Sequence, residues 1–287
     1  MRYHAIHEHD RRYPVRLMCR TLAASPAGYY AWRARPESLR KTANRALVAK
    51  IRGIHQKSRE THGSPSISYA LVKRGHAVGE HRVARLMRSE GIRAKTVKKL
   101  PATTKSHHRM PVAANALNCQ FTVAQPNQVW DGDITYVWTT EGWLYLAVVL
   151  DLYSRFVIGW ALEARLTGAL TQQALTMAIR HRTPKAGVLH HSDRVSQYAA
   201  TRYQLLLTTH GITTSMSRRG NCLDNTCVES FFGTLKRELV YHRHYATRED
   251  AKRDIFEYIE VFYNRKRRHS TLGYNSPAEY EASTAVA

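Results

Sequence analysis

The run Gln128-Val129-Trp130-Asp131-Gly132-Asp133-Ile134-Thr135-Tyr136-Val137 decides the fold. Its β-branched and aromatic residues predict a strand, and its two acids, two positions apart, share one strand face. Thr139-Thr140-Glu141-Gly142 then reads as a turn, residues 143–152 as a buried strand and 156–162 as a third strand. Strands joined this closely pair antiparallel. Further along, 170–182 predicts a helix, 187–190 a short fourth strand, 201–210 a helix, 212–216 a fifth strand and 225–241 a long helix.

That order, βββαβαβα, predicts an α/β ribonuclease-H-like core, a five-stranded mixed sheet with flanking helices. Three acids fall at informative places in it. Asp133 lies near the end of the first strand. Asp193 follows the fourth through His190-His191-Ser192, and Glu229 sits in the helical run Val228-Glu229-Ser230-Phe231-Phe232-Gly233-Thr234-Leu235-Lys236. Thirty-five residues separate Asp193 from Glu229. Two strand-end carboxylates and one helical carboxylate suit a pair of Mg²⁺ ions about 3.5–4 Å apart, the arrangement of phosphodiester displacement. Asp131 competes with Asp133 for the same face.

Composition agrees with a polyanionic partner. The 287 residues are enough for two or three units, 43% are hydrophobic, and the formal charge is +22. Residues 1–120 hold 25 Lys and Arg against 6 Asp and Glu, whereas 121–287 hold 19 against 16. The first part therefore reads as a docking arm and the second as a near-neutral body. The four cysteines, Cys19, Cys119, Cys222 and Cys227, form no C-x-x-C pair, which argues against a disulfide framework or a zinc site. The Arg-rich start is unlike a signal peptide, and no apolar run approaches the ~18 residues of a span. A cytoplasmic, nucleoid-associated protein without membrane contact is expected.

Ahead of the sheet the pattern is helical. Residues 15–22, a break at Ala24-Ser25-Pro26-Ala27-Gly28 and a resumption at Tyr29-Tyr30-Ala31-Trp32-Arg33 fit a helix-turn-helix unit. Residues 44–54 place Leu47, Val48, Ile51 and Ile54 at helical spacing. Ser64-Pro65 starts a helix that stops near Gly75. The helix at 80–90 buries Val83, Leu86 and Met87, and Gly91 caps it. Arg82, Arg85 and Arg88 spiral along its flank, as contact with a major groove or with phosphates requires; a merely solvated face is the bland alternative. Residues 94–127, rich in Lys, Thr and Pro, read as a basic linker that DNA would order. Beyond the core, Thr247-Arg248-Glu249-Asp250 starts a helix burying Ile255, Tyr258, Ile259 and Phe262, and Arg265-Lys266-Arg267-Arg268 is a basic exit. The expected organisation is a helix-turn-helix-like region at 1–60, a second helical DNA-binding module at 61–93, the linker at 94–127, the catalytic core at 128–240 and a C-terminal helix with basic tail at 241–287.

Six stretches taken together resemble one family. They are Trp130-x-x-Asp133-Ile134-Thr135-Tyr136; Trp143-Leu144-Tyr145-Leu146-Ala147-Val148-Val149-Leu150-Asp151-Leu152-Tyr153-Ser154-Arg155; His191-Ser192-Asp193-Arg194-x-Ser196-Gln197-Tyr198; Gly220-Asn221-Cys222-x-Asp224-Asn225; Glu229-Ser230-Phe231-Phe232-x-Thr234-Leu235-Lys236; and Tyr263-Asn264-x-x-Arg267-x-His269-Ser270-x-Leu272-Gly273-Tyr274-x-Ser276-Pro277. This series is similar to OrfB-type transposases of the IS-three family of bacterial insertion sequences, whose core is of the retroviral-integrase kind. Tyr29-Tyr30-Ala31-Trp32 and Gly63-Ser64-Pro65 resemble the helical region of the same family.

The resemblance implies that Asp133, Asp193 and Glu229 are a DDE triad binding two Mg²⁺, with Mn²⁺ as a substitute. It implies cutting of element ends and joining of a 3′-OH to another strand, without a covalent enzyme–DNA intermediate. Lys236, two turns after Glu229, would contact DNA near the metals, unless it is simply a surface lysine. Implied partners are the element's terminal inverted repeats, target DNA, further copies of the chain in a synaptic complex, and an OrfA-type protein or a frameshift fusion carrying it.

Four positions depart from the family pattern. Members commonly carry Gly at Val195, Trp at Leu223, and Arg at Phe156 and Ser66. A Val forced into the left-handed region would cost about 1–3 kcal/mol beside a catalytic acid. Lost arginines would weaken phosphate contacts. A decayed copy that binds DNA without cutting is therefore the alternative reading, and a host nuclease with the same core is the third.

Overall fold

The computed structural model describes residues 1–95, 111–218 and 222–284, in two compact units, Met1–Arg52 and Gly53–Ala287. The first unit holds α1 (Arg2–His9), α2 (Val15–Thr21), α3 (Pro26–Ala34) and the start of α4 (Leu39–Lys57). Ile6, Cys19 and Tyr29 make its fully buried centre. The expected helix pair is present as α2 and α3, but the second helix starts earlier. Ser25 caps it by accepting from Gly28 N at 3.2 Å, and Pro26 occupies the first turn. Gly28 is thus a helical residue rather than a turn residue. The Tyr3 hydroxyl stands where a Cβ at Gly28 would lie.

The second unit opens with the end of α4, α5 (Ser64–Val72) and α6 (Glu80–Ser89). Gly75 and Gly91 follow the two short helices with φ of +80° and +67°, the left-handed stops expected after each. Val83, Leu86 and Met87 of α6 are buried as their spacing requires.

The sheet contains β1 (Val129–Thr139), β2 (Gly142–Asp151), β3 (Val157–Glu163), β4 (Leu189–Ser192) and β5 (Thr213–Met216), in the order β3-β2-β1-β4-β5. The first three are antiparallel neighbours, and β4 and β5 add in parallel, so the sheet is mixed as expected. Helices α7 (Gly168–Arg182), α8 (Ser196–Ala199) and α9 (Thr201–Thr209) precede β5, and α10 (Thr226–Glu238) follows it. The tail adds α11 (Arg248–Phe256), a π-helical continuation over Glu257–Tyr263, and α12 (Pro277–Thr284).

Each sheet face carries its own core. On one, Val137, Leu146, Val148 and Leu150 pack with Val228, Phe231, Phe232 and Leu235 of α10 and with Ile255, Ile259 and Phe262 of the tail. On the other, Val149, Ile158 and Ala161 pack with Ala174, Leu175 and Ala178 of α7 and Tyr203 and Leu207 of α9. Burial on both faces explains why β2 is apolar almost without alternation. Gly159 lets α7 approach the sheet, since a Cβ there would lie 2.7 Å from Ala178 N.

Two expectations about organisation change. Residues 96–110 of the linker lie outside the described residues, but 111–127 are part of the fold. Leu117 is buried in the α10-side core with Phe121 and Val123 against it, and Ala116 N and Leu117 N both donate to Ser215 Oγ, at 2.9 and 3.3 Å. A few apolar residues among many polar ones were enough to seat the segment. The module at 61–93 is likewise not separate from the core. Lys73 pairs with Glu279 at 3.4 Å, and the Arg268 guanidinium lies 5.3 Å from the Tyr69 ring, so α5 packs on the C-terminal segment.

Candidate active site

Parallel pairing builds the first half of the site. The β1–β4 register runs from Val129↔Leu189 to Gly132↔Ser192, which makes Asp133 and Asp193 the next residues on two neighbouring strands. Such strands lie about 4.8 Å apart, and ligands of open α/β sheets gather at carboxyl ends of the parallel strands. Asp193 Oδ1 accepts from Val195 N at 3.1 Å and fixes the turn into α8. Asp133 Oδ1 accepts from Ile134 N at 2.7 Å. Both acids are half-buried.

The other half is α10, and Asp131 ties it to the sheet. Asp131 is fully buried, and its Oδ2 accepts from Val228 N at 3.3 Å. That N–H belongs to the first helical turn, which has no intrahelical acceptor, and a carboxylate there also suits the helix dipole. Glu229 is the next residue and is exposed. Asp131 Oδ1 is buried with no hydrogen-bond partner among the described residues. The structure thus separates the two β1 acids: Asp131 is buried against the helix, and Asp133 is half-buried just past the end of the β4 pairing.

These carboxylates act on one another. Burial pushes the Asp133 pKa well above the carboxylate range; Asp193 raises it further, and Asp131 and Glu229 add to this. Burial raises Asp131 as well, against the opposing pull of Val228 N and the Arg155 guanidinium. Oxygen donors under mutual repulsion are what a hard divalent cation requires, so the donor chemistry fits Mg²⁺. Among the described residues no three His, Cys, Asp or Glu side chains stand close enough together to hold an ion as they are. Asp133, Asp193 and Glu229 thus lie within electrostatic reach of one another without being closed into a coordination shell.

Lys236 lies on the same helix, with its Nζ 4.9 Å from the centroid of the Tyr136 ring. Partial burial lowers its pKa and Asp133 pulls the other way, so the cation reaches the strand that carries the first acid.

Several residues in and beside the quoted motifs make structural contacts, most of them at α10. Arg218 donates to both Asp224 oxygens, at 2.8 and 3.1 Å, and pulls that carboxyl below its usual range just ahead of α10. Arg155 donates to Cys227 Sγ at 2.6 Å in the helix's first turn and to Phe121 O at 3.1 Å. Asn264 takes the place of a strand partner, exchanging two 3.0 Å bonds with Val157 of β3. Arg267 donates to both Glu238 oxygens, and Tyr258 donates to Glu238 at 2.7 Å, which fixes the far end of α10. The sequence signal for these roles was weak, because most of the partners are supplied by tertiary packing; Asn225, the residue before α10, makes no side-chain cap.

Arg267 and Arg268 therefore leave the set of free cations. Arg267 faces Glu238, and Arg268 donates to Tyr274 O at 2.7 Å and pairs with Glu279 at 3.4 Å. Arg265 and Lys266 remain exposed, as do Arg85 and Arg88, while Arg82 is half-buried. Val195 also differs from expectation. Its φ is −67°, ordinary extended backbone, so no strain arises from the missing glycine. Its side chain packs against the α7-side core instead. Phe156 packs there too, with the Arg182 guanidinium 5.1 Å from its ring centroid. Ser66 is half-buried on α5. The side chain of Leu223, like Gly220 and Asn221, lies outside the described residues.

Comparison with known proteins decides the family. Integrase core domain models match residues 123–222 and 229–284, and an HTH-like domain model matches 42–99, the stretch of α4 to α6. A 31 kDa protein of insertion element IS600 from Shigella sonnei is 46% identical over 263 residues, covering 92% of this chain and 97% of its own. The transposase InsF of insertion sequence IS3A from Escherichia coli K12 is 40% identical over 283 residues, 98% of each chain. The chain belongs to the IS3-family transposases. Among solved structures, the simian T-cell lymphotropic virus intasome in complex with the PP2A regulatory subunit B56 gamma is similar at TM-score 0.48 and 17% identity, over 80% of this chain and 74% of that one. At that score the likeness adds nothing to the assignment. In this transposase, a DDE polynucleotidyl transferase by family, all three expected acids lie within the matched integrase-core segments. No helix among the described residues is long and apolar enough to cross a membrane.

Proposed function

We propose that Asp133, Asp193 and Glu229 are the catalytic acids with which this transposase cuts the ends of its element and joins the freed 3′-OH to target DNA. The observation that carries this reading is the parallel register that brings Asp133 and Asp193 level just past the end of the β1–β4 ladder, with the helix of Glu229 bonded to β1 through Asp131. Two bound Mg²⁺, or Mn²⁺ in their place, would supply the Lewis acidity that activates an attacking oxygen and steadies a leaving one. Asp133 and Asp193 would hold these ions from the sheet and Glu229 from α10. Repulsion among the acids makes the empty cluster unfavourable, so cation binding relieves a cost already present in the fold. Lys236 would bind a phosphate beside the acids.

DNA would be held by Arg82, Arg85 and Arg88 along α6 and by Arg265 and Lys266 in the tail, with the element's inverted repeats and target DNA as ligands. Copies of the chain would meet in a synaptic complex, aided by an OrfA-type protein or a fusion carrying it. The reading of a decayed, binding-only copy loses its main support, because Val195 is unstrained.

Labelled element ends incubated with the protein and Mg²⁺ test the assignment. Glu229→Gln should lower nicking and joining at least 10³-fold, the scale of losing a group that acts only in the transition state, while leaving end binding within about twofold. Lost binding with residual nicking would move Glu229 to a structural role.

A further inference from the structure

The β1–β2 hairpin carries an aromatic cluster that the acids and the docking arginines do not use. Tyr136, Trp138 and Trp143 are 49, 55 and 43% exposed. Trp143 meets Tyr136 with ring centroids 4.9 Å apart and Trp138 at 4.7 Å, both edge-to-face. The pairing register makes this cluster: Trp138 and Trp143 are direct cross-strand partners, and Tyr136 is the diagonal neighbour. Val137 and Leu144, one position along each strand, point into the core, so alternation turns the three rings outward. Three adjacent exposed rings are an unusual surface for a chain to leave to water, and such patches mark binding sites.

Continuity with the acids and the surrounding charge indicate the occupant. Tyr136 lies three residues beyond Asp133 on β1, hence on the other face of the strand. Lys236 links the two past the edge that β4 leaves unpaired beyond Gly132: its ammonium lies over the Tyr136 ring and feels the Asp133 carboxylate. Arg248 brings a second cation to the turn, donating to Glu141 O at 2.6 Å and Trp143 O at 3.1 Å, while its backbone N–H holds the Glu141 carboxylate at 2.9 Å. Thr140 N also donates to Tyr245 O at 3.0 Å. The turn is therefore fixed to the start of α11, and rings on a fixed turn lose little freedom on binding.

We propose that Tyr136, Trp138 and Trp143 form a stacking platform for unpaired nucleotides of the DNA strand that enters the acidic site. The proposal rests on the transposase reading. Unpaired bases offer π-faces to the rings while their phosphates meet Lys236 and Arg248, the combination that binds single strands without sequence preference. A closed duplex hides its base faces, so the platform selects an opened end.

Full-length protein, a fluorescent oligo-dT and a duplex of equal length test it by anisotropy. Trp138→Ala should weaken oligo-dT binding roughly tenfold and leave duplex binding within about twofold, and Trp138→Phe should keep most of the affinity. Circular dichroism checks that each variant is folded, which the exposure of Trp138 favours. Unchanged oligo-dT affinity, or an equal loss on both ligands, overturns the proposal. So does a changed sedimentation state with unchanged oligo-dT binding, which would make the cluster an interface between copies of the chain. Nicking of element ends by the wild type is scored separately, so failure of the platform and failure of the catalytic reading are told apart.

Discussion

Arg82, Arg85 and Arg88 of α6 and the run Arg265-Lys266-Arg267-Arg268 look alike as sequence, yet the fold treats them differently. On α6 the apolar stripe of Val83, Leu86 and Met87 turns inward, which leaves Arg85 and Arg88 exposed on the flank. In the tail, the chain leaves its π turn and folds back on itself. Arg267 then meets Glu238 of α10, and Arg268 meets Glu279 of α12. Arg265 and Lys266, immediately before them, stay in solvent. Density of positive charge indicates a polyanion only where no internal acid claims the charge first.

Arg267→Ala should have the largest effect on stability. Arg267 and Glu238 are 20 and 10% exposed, so truncating the arginine strands a buried carboxylate and should cost about 3–5 kcal/mol. Urea unfolding measures it, and DNA affinity per folded molecule should stay unchanged. A stability loss below about 1 kcal/mol together with weaker DNA binding would return Arg267 to the docking surface.

The same buried cations predict acid sensitivity. Burial, with Arg267 and Arg268 close by, lowers His62 to about 4, and burial with Arg267 and Arg155 lowers His269 to about 3. A histidine depressed in the folded state binds fewer protons there than when unfolded. Its contribution is therefore complete above pH 6.5 and is lost as pH falls toward 4 or 3, at about 1.4 kcal/mol per unit for each ring. At pH 5 the loss is about 2 kcal/mol per histidine. Asp151, which burial raises to about 6, titrates in this window with the opposite sign. The readout is therefore the difference between wild type and His62→Gln, whose melting temperature should fall less steeply between pH 7 and 5. Parallel curves would contradict the assignment.

What the sequence disclosed follows from how local each cause is. All five strands and the acid-bearing helix were legible, because periodicity and turn residues are local signals. Asp133, Asp193 and Glu229 stood out as a set from the same local signals, and all three positions fall in the matched integrase-core segments. The docked segment 111–127 was not, since its order comes from Ser215 and the core rather than from its own composition. The partners of Arg267 and Arg268 are 29 and 11 residues away in sequence and meet them only through tertiary packing. The strain expected at Val195 assumed a left-handed backbone that the turn after Asp193 does not need, because the Asp193 carboxylate organises it by accepting from Val195 N. Val195→Gly should accordingly give no gain in nicking and cost about 1 kcal/mol of stability through unfolded-state entropy and lost packing. A rise in nicking rate would restore the strain argument.

The smallest change in stability belongs to the exposed arginines, and they sharpen the contrast most directly. Arg85→Ala and Arg88→Ala remove exposed side chains, so unfolding free energy should move by no more than about 0.5 kcal/mol. If each meets a phosphate, binding should weaken alike on specific and unrelated duplexes, and the slope of log affinity against log salt should flatten by about one per residue. A loss confined to the element's own ends would mean base recognition in the groove instead. An unchanged slope would leave α6 as a solvated helix, and the exposed Arg265 and Lys266 would then have to carry the docking charge.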